Sequence, residues 1–211
     1  MMILMNKFLS KSEIKEIVIE TFKHFQETTN SKIQFPVPIK AIAKSYSNIR
    51  VIPFSKQMEM HNLTYMEMTK QCKTDDAYTD YINNMYIMYI IYYNDVLSSK
   101  VSSNRYRWNI AHELGHIQLC HHIKFEQTKL FRNELSNEEY RTLEREADWF
   151  ASYILAPYLQ LYFIGAKSKE DIERICKISS PAAGYRLDDY IDWMSTPQNI
   201  DPKNSYYEYE L

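Results

Sequence analysis

The segment from Asn109 to His116, NIAHELGH, contains two histidines spaced by one helical turn. Positions i and i+4 of an α-helix project from the same face, so His112 and His116 can offer two imidazole nitrogens to one metal ion. Glu113 points away from the axis of this pair, where its carboxylate can act as a general base on a water molecule without coordinating the metal. The segment therefore predicts two ligands and a base of a metal site.

A catalytic zinc site needs a third protein ligand and leaves its fourth position for water or substrate. The segment EREADWFASYILAP begins at Glu144, which falls at the edge of the apolar stripe of a predicted helix. Asp148 lies one turn later on the same side, where it could accept the remaining ring N–H of a ligating histidine. Glu146 falls farther round, toward solvent. We predict Glu144 as the third ligand and Asp148 as a supporting carboxylate, with Glu146 as the alternative ligand.

Two histidines at this spacing can also be purely structural, and an HExxH string arises by chance in roughly one chain in a hundred of this composition. The context favours a metal, because the string lies within a predicted helix and precedes a second helix that carries two carboxylates at i and i+4. Gly115 costs a helix about 1 kcal/mol relative to alanine, so we expect close packing beside it. The CHH of Cys120 to His122 ends the helix without an evident partner, and we interpret it as a surface turn.

The first half of the chain predicts helices followed by a small sheet. Ser10 and Glu13 have the spacing of a capping box, which predicts a helix over residues 11–29. A short helix follows from Ile39, and NIRVIPF has the composition of a strand. Residues 63–69 alternate weakly, as a strand would, and the segment from Met85 to Asn94 is rich in β-forming residues on both faces.

The second half predicts helices only. One helix carries HELGH, and a capping box at Ser136 and Glu139 opens another that runs to about Ala156. Two short helices fit residues 168–178 and 180–193. The sequence thus predicts an α+β fold with residues 1–165 as the main domain, 166–195 as a small helical extension packed on it, and 196–211 as a flexible tail.

The composition is that of a soluble globular protein with one core, at 211 residues and 25.3 kDa. A net charge of −2 and a pI near 6.3 imply no general attraction to nucleic acid or an anionic membrane. Three widely spaced cysteines favour a reducing compartment. The N-terminal apolar run is too short for a signal peptide and the longest apolar run is too short to span a bilayer. We therefore expect a cytoplasmic protein without a membrane partner.

These segments together resemble the ImmA/IrrE family of metallopeptidases, zincin-like proteins of bacteria and their mobile elements. The resemblance runs from PVPIKAIAKSYSNIRVIPF through YRWNIAHELGHI and EREADWFASYILAP to CKISSPAAGYRLDDY, which covers most of residues 11–193. HELGH followed by an E-x-x-A-D/N-x-F-A helix that ends at proline is a specific combination. The resemblance implies a zincin-like fold of helices around a short antiparallel sheet.

By the same resemblance, His112, His116 and Glu144 bind Zn²⁺ and Glu113 serves catalysis. The implied substrate is an intracellular protein, typically a helix-turn-helix transcriptional repressor whose cleavage releases stress-response or mobile-element genes. The strand from Met85 to Asn94 is the candidate edge for pairing with an extended substrate. The alternative function is a regulatory or sensor module that keeps the metal without proteolysis. The sequence leaves the oligomeric state open.

The segment KEDIERICKISSPAAGYRLDDY, after Pro157, has a form that could be mistaken for a DNA-reading helix-turn-helix. Acidic residues offset its four basic ones, which are Lys169, Arg174, Lys177 and Arg186. We therefore interpret the segment as a packing subdomain rather than a DNA-binding element, and expect no nucleic-acid partner.

Overall fold

The computed structural model describes residues 8–83, 87–96, 104–124 and 136–196. Within these residues ten helices accompany three strands, and this confirms the α+β class. In chain order the elements are α1 (Lys11–Thr29), α2 (Ile39–Ser45), β1 (Ile49–Pro53), α3 (Phe54–His61), α4 (Tyr65–Cys72), β2 (Ala77–Asn83), β3 (Ile87–Tyr93), α5 (Arg105–Gln118), α6 (His121–Lys124), α7 (Asn137–Leu155), α8 (Tyr158–Phe163), α9 (Lys169–Cys176) and α10 (Ser180–Ser195).

Capping boxes set the starts of three helices. The side chains of Ser10 and Ser136 each accept a hydrogen bond from a backbone N–H three residues later, and the glutamate there accepts one in return. Helices α1 and α7 therefore begin where the sequence predicted. The weak strand expected over residues 63–69 is wrong, because Thr64 and Glu67 form a third capping box that starts α4.

The strand order in the sheet is β1-β3-β2. Strand β3 pairs in parallel with β1 and antiparallel with β2, so the sheet is mixed rather than antiparallel throughout as expected. Because β3 is hydrogen-bonded on both sides, the edge strand predicted over Met85 to Asn94 is wrong for its described part. Apolar residues on both faces are typical of a central strand, which explains the composition of this segment.

Helices α5 and α7 pack against each other. Helix α5 also packs on strands β2 and β3, and α7 packs on α1, and their buried side chains belong to one core. A Cβ atom placed on Gly115 of α5 would lie 3.2 Å from Phe150 and 3.3 Å from the Cα of Ala147, both on α7. The close packing predicted from Gly115 is therefore confirmed. It brings the backbones of the two helices together at the level of the HELGH motif.

Helices α9 and α10 contribute to the same buried cluster as the rest of the chain, through residues such as Ile172, Cys176 and Tyr190. Arg186 is buried, and its Nε donates a hydrogen bond to the Ala156 carbonyl oxygen at 2.6 Å. This arginine is thus not available for contact with DNA. Of the predicted flexible tail, residues 197–211 lie outside the described residues. No helix among the described residues has the length and apolar character needed to cross a membrane.

Candidate metal centre

The structure brings three of the predicted site residues together. Helix α5 places His112 and His116 on one face, with their Nε2 atoms 3.0 Å apart. Glu144 lies on α7, and one of its carboxylate oxygens is 3.4 Å from His112 Nε2 and the other is 3.4 Å from His116 Nε2. In the part of the chain that the structure describes, these residues form a group able to hold a metal ion.

The spacing of these donor atoms fits a zinc-sized ion. Zn²⁺ bonds nitrogen and oxygen at about 2.0–2.2 Å, and tetrahedral angles then place neighbouring ligand atoms about 3.3 Å apart. The observed separations of 3.0 and 3.4 Å lie around that value. Two imidazole nitrogens this close, with a carboxylate beside both, also need a proton or a cation between them, since two lone pairs would otherwise face each other.

Asp148 lies behind His112, with its Oδ1 3.0 Å from His112 Nδ1. Burial opposes protonation of the His112 ring, but the hydrogen bonds to Asp148 and Glu144 outweigh burial and raise the pKa of His112 to about 10. Burial also disfavours the charged form of Glu144, yet its contacts with the two histidines hold its pKa well below the ordinary value. The cluster therefore attracts positive charge, which a proton or a metal ion can supply.

Glu146 is placed differently from its prediction. It is 1% exposed, and its carboxylate accepts a hydrogen bond from the Leu9 backbone N–H at 2.6 Å and lies 3.0 Å from His121 Nε2. Glu146 therefore neither points to solvent nor joins the cluster of His112, His116 and Glu144. The helical periodicity was misleading because α7 is covered on two sides, by α5 and by α1, so its buried face is wider than its apolar stripe.

The surface turn predicted at Cys120 to His122 is also wrong. His121 and His122 are 0% and 2% exposed, and His121 Nδ1 lies 2.8 Å from His116 Nδ1. Cys120 adopts a left-handed conformation with φ of 59°, which folds the short helix α6 back against α5. A spacing of five residues gives no signal for contact on a continuous helix, so helical periodicity could not find this contact.

Glu113 has a partner that the sequence did not predict. The Thr79 hydroxyl donates a hydrogen bond to Glu113 Oε2 at 2.6 Å, from a buried position on β2. The sequence carried little signal for this contact, because β2 was not predicted as a strand and lies 34 residues before Glu113. Thr79 thus holds one oxygen of the proposed base in place.

The cluster opens into a cleft of about 860 Å³. Residues of β2, α5, α7 and the start of α10 line this cleft. Its lining includes the aromatic and hydroxyl side chains of Tyr78, Thr79, Trp108, Tyr140 and Ser179. The side chains of His112, Glu113, His116 and Glu144 also line it. A cleft of this size, with several ionisable groups in its lining, can hold several residues of a peptide.

Comparison with known proteins connects this site to one family. The family model for the IrrE N-terminal-like domain, Peptidase M78, matches residues 61–188. This is more than half of the chain and includes α5, α7 and strand β2, which supply the cleft. No curated protein matches the chain.

Proposed function

The chain belongs to the family of IrrE N-terminal-like domains, Peptidase M78, and on that premise we propose that it is a zinc-dependent endopeptidase that cuts a specific intracellular protein. Family membership supports a metallopeptidase-type function. The observation that carries the proposal is the convergence of His112, His116 and Glu144, which line one cleft together with Glu113. Cys72, Cys120 and Cys176 are all thiols rather than half-cystines, which supports our further proposal of a cytoplasmic location.

The residues divide the chemistry between them. His112, His116 and Glu144 would hold the ion, and a bound zinc ion would polarise the scissile carbonyl and make water more acidic. Glu113 takes a proton from the attacking water on its carboxylate and passes it to the nitrogen of the leaving amine. Because Thr79 donates to one oxygen of Glu113, the other oxygen is the one that we assign to proton transfer.

Strand β2 replaces β3 as the proposed binding edge for an extended substrate. One side of β2 pairs with β3, and its residues Ala77, Tyr78 and Thr79 line the cleft. A peptide could therefore add to β2 through backbone hydrogen bonds while its side chains enter the cleft. We propose a helix-turn-helix transcriptional repressor of a stress response or a mobile element as the substrate, on the strength of the family resemblance.

The test combines metal content with proteolysis. We expect about one zinc per chain, measured by mass spectrometry, in the wild type and in Glu113→Gln, and loss of zinc in Glu144→Ala. Glu138→Ala removes an exposed glutamate from the same helix and should retain zinc. Glu113→Gln should abolish cleavage of a repressor encoded near the gene.

Three results would contradict the proposal in different ways. A wild type that takes up no zinc when zinc is offered would remove the basis for a metallopeptidase. A zinc-loaded wild type that binds its partner without cutting it would favour the regulatory or sensor module. Full cleavage by Glu113→Gln would remove Glu113 as the base.

A further inference from the structure

His116 is held from behind by a buried chain of polar contacts. His116 Nδ1 lies 2.8 Å from His121 Nδ1, and His121 Nε2 lies 3.0 Å from Glu146 Oε2. The other Glu146 oxygen accepts the Leu9 backbone N–H at 2.6 Å. Both histidines and the glutamate are buried, so these contacts do not exchange with bulk water.

The hydrogen bond from Leu9 determines which atoms carry the protons in this series of contacts. The Leu9 N–H can only donate, so Glu146 accepts there, and as a carboxylate it also accepts from His121 Nε2–H. A neutral imidazole donates from one nitrogen and accepts at the other. His121 therefore accepts at Nδ1 from His116 Nδ1–H, which leaves the lone pair of His116 on Nε2. The ring of His121 is fully buried, an environment that favours the neutral imidazole.

We propose that His121 and Glu146 are positioning residues that hold His116 in the tautomer protonated at Nδ1, with Nε2 presented to the metal ion. The inference rests on the proposed metal site, because it concerns one of its three ligands. Supporting partners of this kind set the tautomer and ring orientation of ligating histidines. His112 has an exposed carboxylate for this purpose, Asp148, whereas His116 has a buried His–Glu pair.

The arrangement also couples the N-terminal end of α1 to the site. Leu9 immediately precedes the Ser10 cap of α1, and its backbone N–H is the outermost donor of the chain of contacts. Helix α1 packs on α7, which carries Glu146. The orientation of a ligand on α5 is thus set by groups on α6, on α7 and before α1.

The first measurement reads the tautomer in the metal-free protein. We would label histidine with ¹⁵N and assign the ring nitrogens of His116 by long-range ¹H–¹⁵N correlation. We expect protonated Nδ1 and unprotonated Nε2 in the wild type. The opposite pattern, with the proton on Nε2, would reverse the hydrogen bond between His116 and His121 and overturn the proposal.

The second measurement compares variants at His121. His121→Leu removes both ring nitrogens, and we expect loss of the tautomer preference and zinc affinity weaker by about 10- to 100-fold. His121→Asn places a carbonyl oxygen near the position of Nδ1, so it should restore the tautomer and most of the affinity. His122→Leu is the control, since it removes another buried imidazole close to His116. The His122 ring packs on Tyr81 and Tyr89 and lies 6.4 Å, centroid to centroid, from the His116 ring.

Zinc affinity would be measured by competition with a chromophoric chelator, and thermal unfolding of the metal-free variants would show whether each is folded. Unchanged affinity and tautomer in His121→Leu, or an equal loss in His122→Leu, would overturn the proposal. If His121→Leu does not fold, the proposal is still tested by the His116 tautomer in the wild type and by the tautomer and zinc affinity of His121→Asn. Absence of zinc from the wild type would refute the proposed metal site. The His116 tautomer is measured in the metal-free protein, so failure of the positioning role can be distinguished from failure of the metal site.

Discussion

At the scale of single residues, the site depends on partners that hold its reactive groups. Glu113 stands next to a histidine of the cluster, but its carboxylate is oriented by the Thr79 hydroxyl on another element. A hydrogen bond to a charged group contributes about 1.5–3 kcal/mol, which is enough to favour one carboxylate orientation. Thr79 is therefore the residue outside HELGH on which we expect the base to depend.

Thr79→Val tests this dependence, because valine keeps the shape of threonine and suits a strand but donates no hydrogen bond. We expect kcat for cleavage to fall by about 10- to 100-fold with zinc content unchanged, as the hydrogen-bond energy implies. Thr79→Ser retains the hydroxyl and should keep most of the activity. Equal activity of the valine and serine variants would show that Glu113 needs no such donor.

At the scale of elements, the site depends on how closely α5 approaches α7. The two histidines belong to one helix and Glu144 to the other, so the distance between helix axes sets the distance between ligands. Gly115 permits the approach, because a Cβ at this position would lie 3.3 Å from the backbone of α7 at Ala147. Backbone atoms can yield only if the helix moves.

Gly115→Ala should therefore widen the gap and weaken zinc binding. Overpacking costs about 1–3 kcal/mol and the higher helix propensity of alanine returns about 1 kcal/mol, so we expect a net loss of roughly 0–2 kcal/mol in the free energy of unfolding. Urea unfolding of the metal-free protein would measure the change in the free energy of unfolding, and chelator competition would measure the change in zinc affinity.

Gly184→Ala is the matched control, since it makes the same change inside α10. Among the described residues, a Cβ at Gly184 would meet only the Lys169 side chain, at 3.5 Å, which is ordinary van der Waals contact. This variant should keep zinc affinity and gain up to about 1 kcal/mol of stability. A similar gain in Gly115→Ala would contradict the close approach of α5 and α7.

At the scale of the whole molecule, the C-terminal helices share the core of the site-bearing region. Ile172, Cys176 and Tyr190 are buried in the cluster that contains the α5 and α7 side chains. Arg186 reaches the carbonyl oxygen at the end of α7 and stacks on Tyr158. By contrast, the exposed ion pair between Lys11 of α1 and Asp189 of α10 contributes little to holding the C-terminal helices on the rest of the protein.

A chain that ends at residue 165 should consequently fail to fold cooperatively, because it leaves the apolar surface under α9 and α10 exposed to water. A chain that ends at residue 196 keeps both helices and should retain the transition of the full chain. Thermal unfolding followed by circular dichroism would compare them. Cooperative unfolding of residues 1–165 alone would instead show that the predicted main domain folds without the helical extension that packs on it.

The sequence by itself determined the features that depend on residues within about one helical turn of each other. The capping boxes at Ser10 and Ser136 placed the starts of α1 and α7, and the i, i+4 spacing placed His112 and His116 on one face. The residue pattern around HELGH also pointed to the family to which the chain belongs. Such interactions follow from helix geometry, which the local sequence reveals.

Only the tertiary structure decided which distant residues meet. Whether Glu144 or Glu146 faces the histidines depended on the elements that cover the two sides of α7, and the contact of Thr79 with Glu113 depended on the place of β2 at the sheet edge. His121 reaches His116 because the chain reverses at Cys120 in a conformation unusual for a residue other than glycine. These contacts result from the packing of separate segments, which neither residue spacing nor helical periodicity encodes.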